Sequence, residues 1–212
     1  MKPSHASINI AQAGQSQDRV ACLPTLKAFY VFLADGAGGY SGGGEAADFF
    51  VTELLQVAET SSSVEQVIRA FWALDERIAV RQECGETTGV MVAVTEDEVV
   101  TASVGDSEAW LATANGVQDL TQGQQRKPLL GSGDATPKLR RAPFTTGTLL
   151  IGSDGLFKYT TEENILELLQ SGFDDATPPR LVDLVRLRSG GLQDDVSLAL
   201  VSLEIESRSR ER

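Results

Sequence analysis

Four apolar runs in this chain each meet an aspartate at one end, in three of them beside glycine or serine. Asp35 follows "YVFLA", Asp106 follows "VTASVG", Asp154 follows "LLIGS", and Asp194 with Asp195 opens "DDVSLALVSL". Taken singly, each is a turn former after or before a strand. Together they restrict the fold, because strands that share an edge would bring four or five carboxylates to one place. Two like charges 4 Å apart repel by about 4 kcal/mol at an effective dielectric of 20, so such a cluster needs cations. Oxygen ligands with neither His nor Cys among them select hard ions such as Mg²⁺, Mn²⁺ or Ca²⁺.

The order of elements narrows the architecture. Short β-like runs at 6–12, 19–23 and 28–34 are followed by two helices at 45–59 and 63–82, the second with Ser63 and Gln66 spaced as a capping box. Strands at 87–95, 98–105 and 108–114 read as antiparallel neighbours joined by tight turns at "EDE" and "GDS". Residues 115–147 read as irregular, 148–154 as a strand, and 160–172 as a helix with Thr160 and Glu163 as its capping box and Gly172 as its stop. A helix over 177–191 and a strand over 196–205 complete the pattern. Strands arranged in hairpins, rather than alternating with helices, favour an α+β sandwich over a doubly wound sheet. The expectation is one domain over 1–205 with a disordered tail over 206–212.

Composition sets the outer limits. A net charge of −12 over 212 residues excludes nucleic acid as the main partner, since phosphate backbones are bound with surplus Lys and Arg. The two cysteines, Cys22 and Cys84, offer neither a disulfide framework nor a zinc site, which points to a reducing cytoplasm. No apolar run is long enough for a membrane span. His5, the only histidine, lies in the N-terminal stretch, which argues against Ser-His-Asp or Cys-His chemistry.

The stretch "LADGAGGYSGGGEAADF" (33–49) holds six glycines between a strand and a helix. Its "GGGEAA" satisfies the letters of a dinucleotide-binding fingerprint, but seven residues separate it from its strand and no second strand carries the required acid. A P-loop motif and an EF-hand loop are both missing from the sequence. Two hard metals held by shared carboxylates suit in-line attack on phosphorus, and the glycines would let a backbone carbonyl beside Asp35 turn toward an ion.

Six segments in order then carry a resemblance: "QDR" (17–19), "ADGAGG" (34–39), "GETTGVMVAV" (85–94), "VGDSEAWL" (104–111), "GSDGLF" (152–157) and "LQDDVSLAL" (192–200). They resemble the motifs of metal-dependent protein phosphatases of the 2C type, in compact bacterial form. The resemblance implies an αββα sandwich of two mainly antiparallel sheets flanked by helices, with Mn²⁺ or Mg²⁺, two ions or three, at one edge. It implies that Asp35 bridges two metals, that the Gly36 carbonyl binds one, and that Asp154 and Asp194 hold the other. Asp106 is similar to the ligand of a third ion, and Asp18 to the acid that holds a metal-bound water. It implies hydrolysis of phosphoserine or phosphothreonine by a metal-bridging hydroxide, on a signalling phosphoprotein modified by a Hanks-type kinase.

Two departures stand out. The phosphate-binding Arg of that family falls at Ala13, so the phosphate ligand is unknown, with Lys138, Arg140 and Arg141 in "PKLRR" as candidates. The usual "GDSR" reads "GDSE", with Glu108. Two other readings remain open: a regulatory phosphatase like stage II sporulation protein E, and a binding module that keeps the fold without efficient catalysis.

Overall fold

The computed structural model describes residues 3–37, 41–143, 145–169 and 172–203. The expected tail, part of the glycine-rich loop and the end of the last strand at 204–205 lie outside them.

Among the described residues ten strands form two antiparallel sheets of five. The first sheet contains β1 (His5–Ile10), β10 (Val196–Leu203), β9 (Gly147–Gly152), β6 (Glu108–Thr113) and β7 (Gly116–Asp119), in that order. The second contains β2 (Arg19–Pro24), β3 (Phe29–Ala34), β4 (Gly89–Val94), β5 (Glu98–Val104) and β8 (Lys138–Pro143). Helices α1 (Gly43–Thr60) and α2 (Val64–Ala79) cover the second sheet, while α3 (Asp154–Phe157), α4 (Glu162–Leu169) and α5 (Thr177–Asp183) cover the first.

The period of two within each strand builds these layers. In β3, Phe29, Val31 and Leu33 point between the sheets, where they meet Leu149, Ile151, Ala199 and Val201. Tyr30, Phe32 and Ala34 point the other way, onto Phe50 and Leu54 of α1 and Phe71 and Leu74 of α2. Both faces are covered, so β3 and β4 read as unbroken apolar runs and every residue in them is buried. Full burial of each large side chain contributes about 1.5–3 kcal/mol. The result is the αββα sandwich that the resemblance implied.

Five local readings differ from the structure, one being the Thr160–Glu163 capping box: α4 begins at Glu162, and Thr161 Oγ1 accepts the Asn164 amide at 3.4 Å. "GDS" does not close a hairpin: β5 and β6 belong to different sheets, and the chain crosses between layers at Gly105–Ser107. The stretch 115–147 contains β7 and β8, both edge strands. Edge strands can carry charge on their open side, and the basic residues of β8 hid its pairing with β5. The helix expected over 177–191 stops at Asp183. Ser63 caps no amide with its side chain; Gln66 instead reaches back to the Ser62 amide, 2.8 Å.

One buried acid outside the sheet edge organises the loop after the cis Lys127–Pro128 bond. Asp75 of α2 accepts the backbone amides of Gly131, Gly133 and Ala135 at 2.7, 3.0 and 2.8 Å. Removing an acceptor that satisfies three donors costs about 2–4 kcal/mol. Asp75→Ala is expected to lower Tm by about 5–10 °C in thermal denaturation; an unchanged Tm would show that the loop holds without it.

Candidate active site

Strand register brings the aspartates together. Gly89 of β4 faces Val104 of β5, so the residues just outside, Thr88 and Asp106, share one edge. Asp35 follows Ala34 at that same edge. In the other sheet, Gly152 faces both Glu108 and Leu198, which sets Asp154 beside the start of β10 and Asp194. The crossover at Gly105–Ser107 ties the two edges into one. Asp35, Asp106, Asp154 and Asp194 consequently line a single cavity of about 390 Å³.

The backbone enforces this closeness. A Cβ on Gly155 would stand 1.9 Å from the Asp195 carbonyl oxygen, so the turn before β10 rests directly on α3 and holds Asp194 near Asp154. A Cβ on Gly36 would meet the Gly43 carbonyl carbon at 2.4 Å, which seats the start of α1 against the residue after Asp35. Gly42, at φ 97°, turns its carbonyl to the Gly85 and Ala46 amides. Much of the glycine loop therefore serves backbone-on-backbone packing behind the cavity.

Asp35 is held by two threonines. Its amide donates to Thr88 Oγ1 at 3.0 Å, and its carbonyl accepts the Thr88 amide and Thr87 Oγ1, each at 2.9 Å. Thr88 Oγ1 and Ser107 Oγ stand 2.8 Å apart, which couples Asp35 to the crossover turn. Burial, followed by the charges of Asp18, Asp154, Asp194 and Asp106, pushes the Asp35 carboxyl up to about 9. Burial, then Asp106 and Asp194, raises Asp154.

Asp18 lies behind Asp35 with only 1 % of its surface exposed. Burial raises its carboxyl to about 6, aided by the charge of Asp195. Neither carboxylate oxygen has a hydrogen bond of ordinary geometry, although Ser153, Ser197 and Asp35 stand near enough to favour its ionised form. Asp195 is committed elsewhere: its two oxygens accept the Gln12 and Gln17 amides, both at 2.7 Å, and clip the 12–17 loop beside the cavity.

As the side chains stand, no group of three or more His, Cys, Asp or Glu among the described residues is arranged to hold a metal ion. The carboxylates converge electrostatically, but cationic side chains engage two of them. Arg126 donates to Asp106 Oδ2 from Nη2 at 2.6 Å and from Nε at 3.2 Å, and Lys158 Nζ lies 3.8 Å from Asp154. The donor chemistry nonetheless fits a hard divalent cation: carboxylates without nitrogen or sulfur, and two buried oxygens on Asp18 that make no hydrogen bond of ordinary geometry.

Ala13 does line the cavity, and among the described residues no Lys or Arg lines it. The "PKLRR" candidates are not part of that lining. Lys138, Arg140 and Arg141 belong to β8, where Arg141 bridges Glu65 and Glu98 and Arg140 contacts Gln122. Arg126 and Lys158 were not legible as site residues, because neither stands in a motif that marks it.

No protein-family model matches the sequence, and no curated protein is similar to it by sequence. Solved structures share its fold. The serine/threonine phosphatase Stp1 from Staphylococcus aureus matches with a TM-score of 0.81 at 20 % identity, over 97 % of this chain and 96 % of its own. The Mycobacterium tuberculosis serine/threonine phosphatase PstP/Ppp matches with a TM-score of 0.78 at 20 % identity, over 96 % and 99 %. A PstP catalytic domain in complex with two manganese ions matches with a TM-score of 0.77 at 20 % identity, over 94 % and 97 %. The chain thus has the fold of the bacterial 2C-type serine/threonine phosphatases.

Asp35 gives a pH prediction for the protein in chelator. Its carboxyl titrates near 3.8 unfolded and about 9 folded, so between those values the folded state keeps a proton that the unfolded chain releases. Stability should therefore fall as pH rises through this window. Tm is expected to drop between about pH 6 and about pH 9, and Asp35→Asn should flatten the slope. A Tm that climbs over that range would contradict the crowding of carboxylates around Asp35.

Proposed function

We propose that this protein is a metal-dependent phosphatase acting on phosphoserine or phosphothreonine in proteins. The observation that carries the reading is the convergence of Asp35, Asp106, Asp154 and Asp194 on one cavity at the sheet edge, in a fold shared with serine/threonine phosphatases. Asp35, the Gly36 carbonyl, Asp154 and Asp194 would hold two Mn²⁺ or Mg²⁺ ions, and Asp106 a third. The two manganese ions of the PstP complex support divalent-metal use by analogy of fold. Such ions would offset the repulsion among the carboxylates, polarise the phosphoryl oxygens and lower the pKa of an attacking water.

The chain's own groups have separate tasks. Thr87 and Thr88 fix the backbone of Asp35, so its carboxylate is aimed before any ligand arrives. Neither oxygen of Asp18 is committed to a hydrogen bond of ordinary geometry, which leaves acceptor capacity for orienting the attacking water. Asp195 holds the 12–17 loop, and with it Ala13 and Gln15, against the cavity. A phosphoprotein substrate, modified by a Ser/Thr kinase of Hanks type, fits this reading. The described residues include no helix long and apolar enough to cross a membrane.

A binding module of the same fold is the second reading, favoured by the engagement of Asp106 by Arg126. The test is Mn²⁺-dependent hydrolysis of p-nitrophenyl phosphate and of phosphoserine peptides. Asp35→Asn is expected to lower kcat by several orders of magnitude. Mn²⁺ should stabilise the wild type by about 2.7 kcal/mol at 100 times its Kd, through mass action. Stabilisation without turnover would favour the binding module, and neither effect would remove the metal-centre reading.

A further inference from the structure

We propose that Arg126 is the phosphate-binding residue of this site, released for that task when a divalent cation takes Asp106. The proposal rests on the phosphatase reading above and concerns which side chain meets the substrate's phosphoryl group.

A phosphomonoester dianion entering this cavity meets a wall of carboxylates and, among the described residues, no lining Lys or Arg. The other arginines near the rim are engaged away from it. Arg19 is bound to Asp48 and to the carbonyls of Ser16 and Asp18, and Arg81 to Glu83 with its guanidinium over the Phe49 ring. Arg126 differs. It contacts Asp106, a residue of the cavity wall, while its side chain is 75 % exposed. An ion pair so open to solvent is weak and exchanges readily.

Its anchoring suits a pivot. Gln124 donates from Nε2 to the Ser107 carbonyl at 2.8 Å, and the Gly105 amide donates to the Gln125 carbonyl at 3.0 Å. The backbone just before Arg126 is therefore fixed to the turn that carries Asp106, and only the long side chain needs to move. Both donors now used, Nε and Nη2, converge on one oxygen, Asp106 Oδ2. The same fork can grip two oxygens of a phosphate, a geometry that lysine cannot reproduce.

Arg126 and a cation compete for Asp106. Loading the cation frees the guanidinium beside the cavity, so cation and phosphate should bind with positive coupling, and reciprocally. Without the cation, Arg126 stays on Asp106 and offers the substrate less.

The test is calorimetric titration of wild type, Arg126→Ala and Arg126→Lys, first with Mn²⁺ and then with inorganic phosphate on the Mn²⁺-loaded protein. For Arg126→Ala the weakest Mn²⁺ should bind a few-fold tighter, and phosphate about tenfold weaker, the latter equivalent to about 1.4 kcal/mol. KM for p-nitrophenyl phosphate should rise by about the same factor with kcat changed far less, and Arg126→Lys should fall between. Unchanged phosphate affinity in an Arg126→Ala protein whose parent binds Mn²⁺ and turns over overturns this inference and leaves the phosphatase reading intact. The inference fails in the same way if Lys158→Ala, and not Arg126→Ala, weakens phosphate binding, or if Arg126→Ala lowers only Tm. A wild type that neither binds Mn²⁺ nor hydrolyses phosphoesters overturns both.

Discussion

Repulsion among carboxylates at one edge of the sandwich is the constraint on which the rest of the site depends. Left free, these groups would move apart, and the structure counters them with backbone contacts too close for any side chain. The Asp195 carbonyl presses on Gly155, and the start of α1 presses on Gly36. Such contacts cannot relax by a rotamer change, so the charges stay together, and burial followed by their repulsion raises the Asp35 carboxyl most strongly. The apolar layers do the complementary work. With β3 and β4 buried on both faces, the strand ends have no freedom to slide.

The sequence conveyed the aspartates better than it conveyed their surroundings. Asp35, Asp106, Asp154 and Asp194 were legible because a carboxylate at the end of an apolar run is a local pattern, and strand order then decides the convergence. The layered fold was legible for a similar reason, since hairpin-spaced strands and amphipathic helices are short-range signals. Three features needed three dimensions. The "GDS" segment looks like any tight turn, and only the pairing of β5 with β8 and of β6 with β9 shows that it passes between sheets. The strand β8 was masked by its charges, which an edge position tolerates. Arg126 lies 20 residues from the aspartate it contacts, within a stretch of Gly, Gln and basic residues that signals only a loop.

Asp18 and Asp195 show how residues of one type diverge by environment. Both are close to the cavity. Asp195 spends its oxygens on two amides and becomes a clip, whereas Asp18 is enclosed without a hydrogen bond of ordinary geometry and retains its capacity to accept. Nothing in "QDR" or "LQDD" separates the two tasks; the amides of Gln12 and Gln17 do.

The topology of the first sheet has a consequence for how the chain is made. Strand β1 has one neighbour, β10, and almost two hundred residues lie between them. During synthesis β1 must wait unpaired until β10 emerges, while the second sheet, whose strands all lie between Arg19 and Pro143, can assemble earlier. Asp194 and Asp195 arrive with that late strand. A nascent chain on the ribosome therefore carries Asp35 and Asp106 in place but no finished centre, and the site comes into being at nearly the same moment as the last of the sheet.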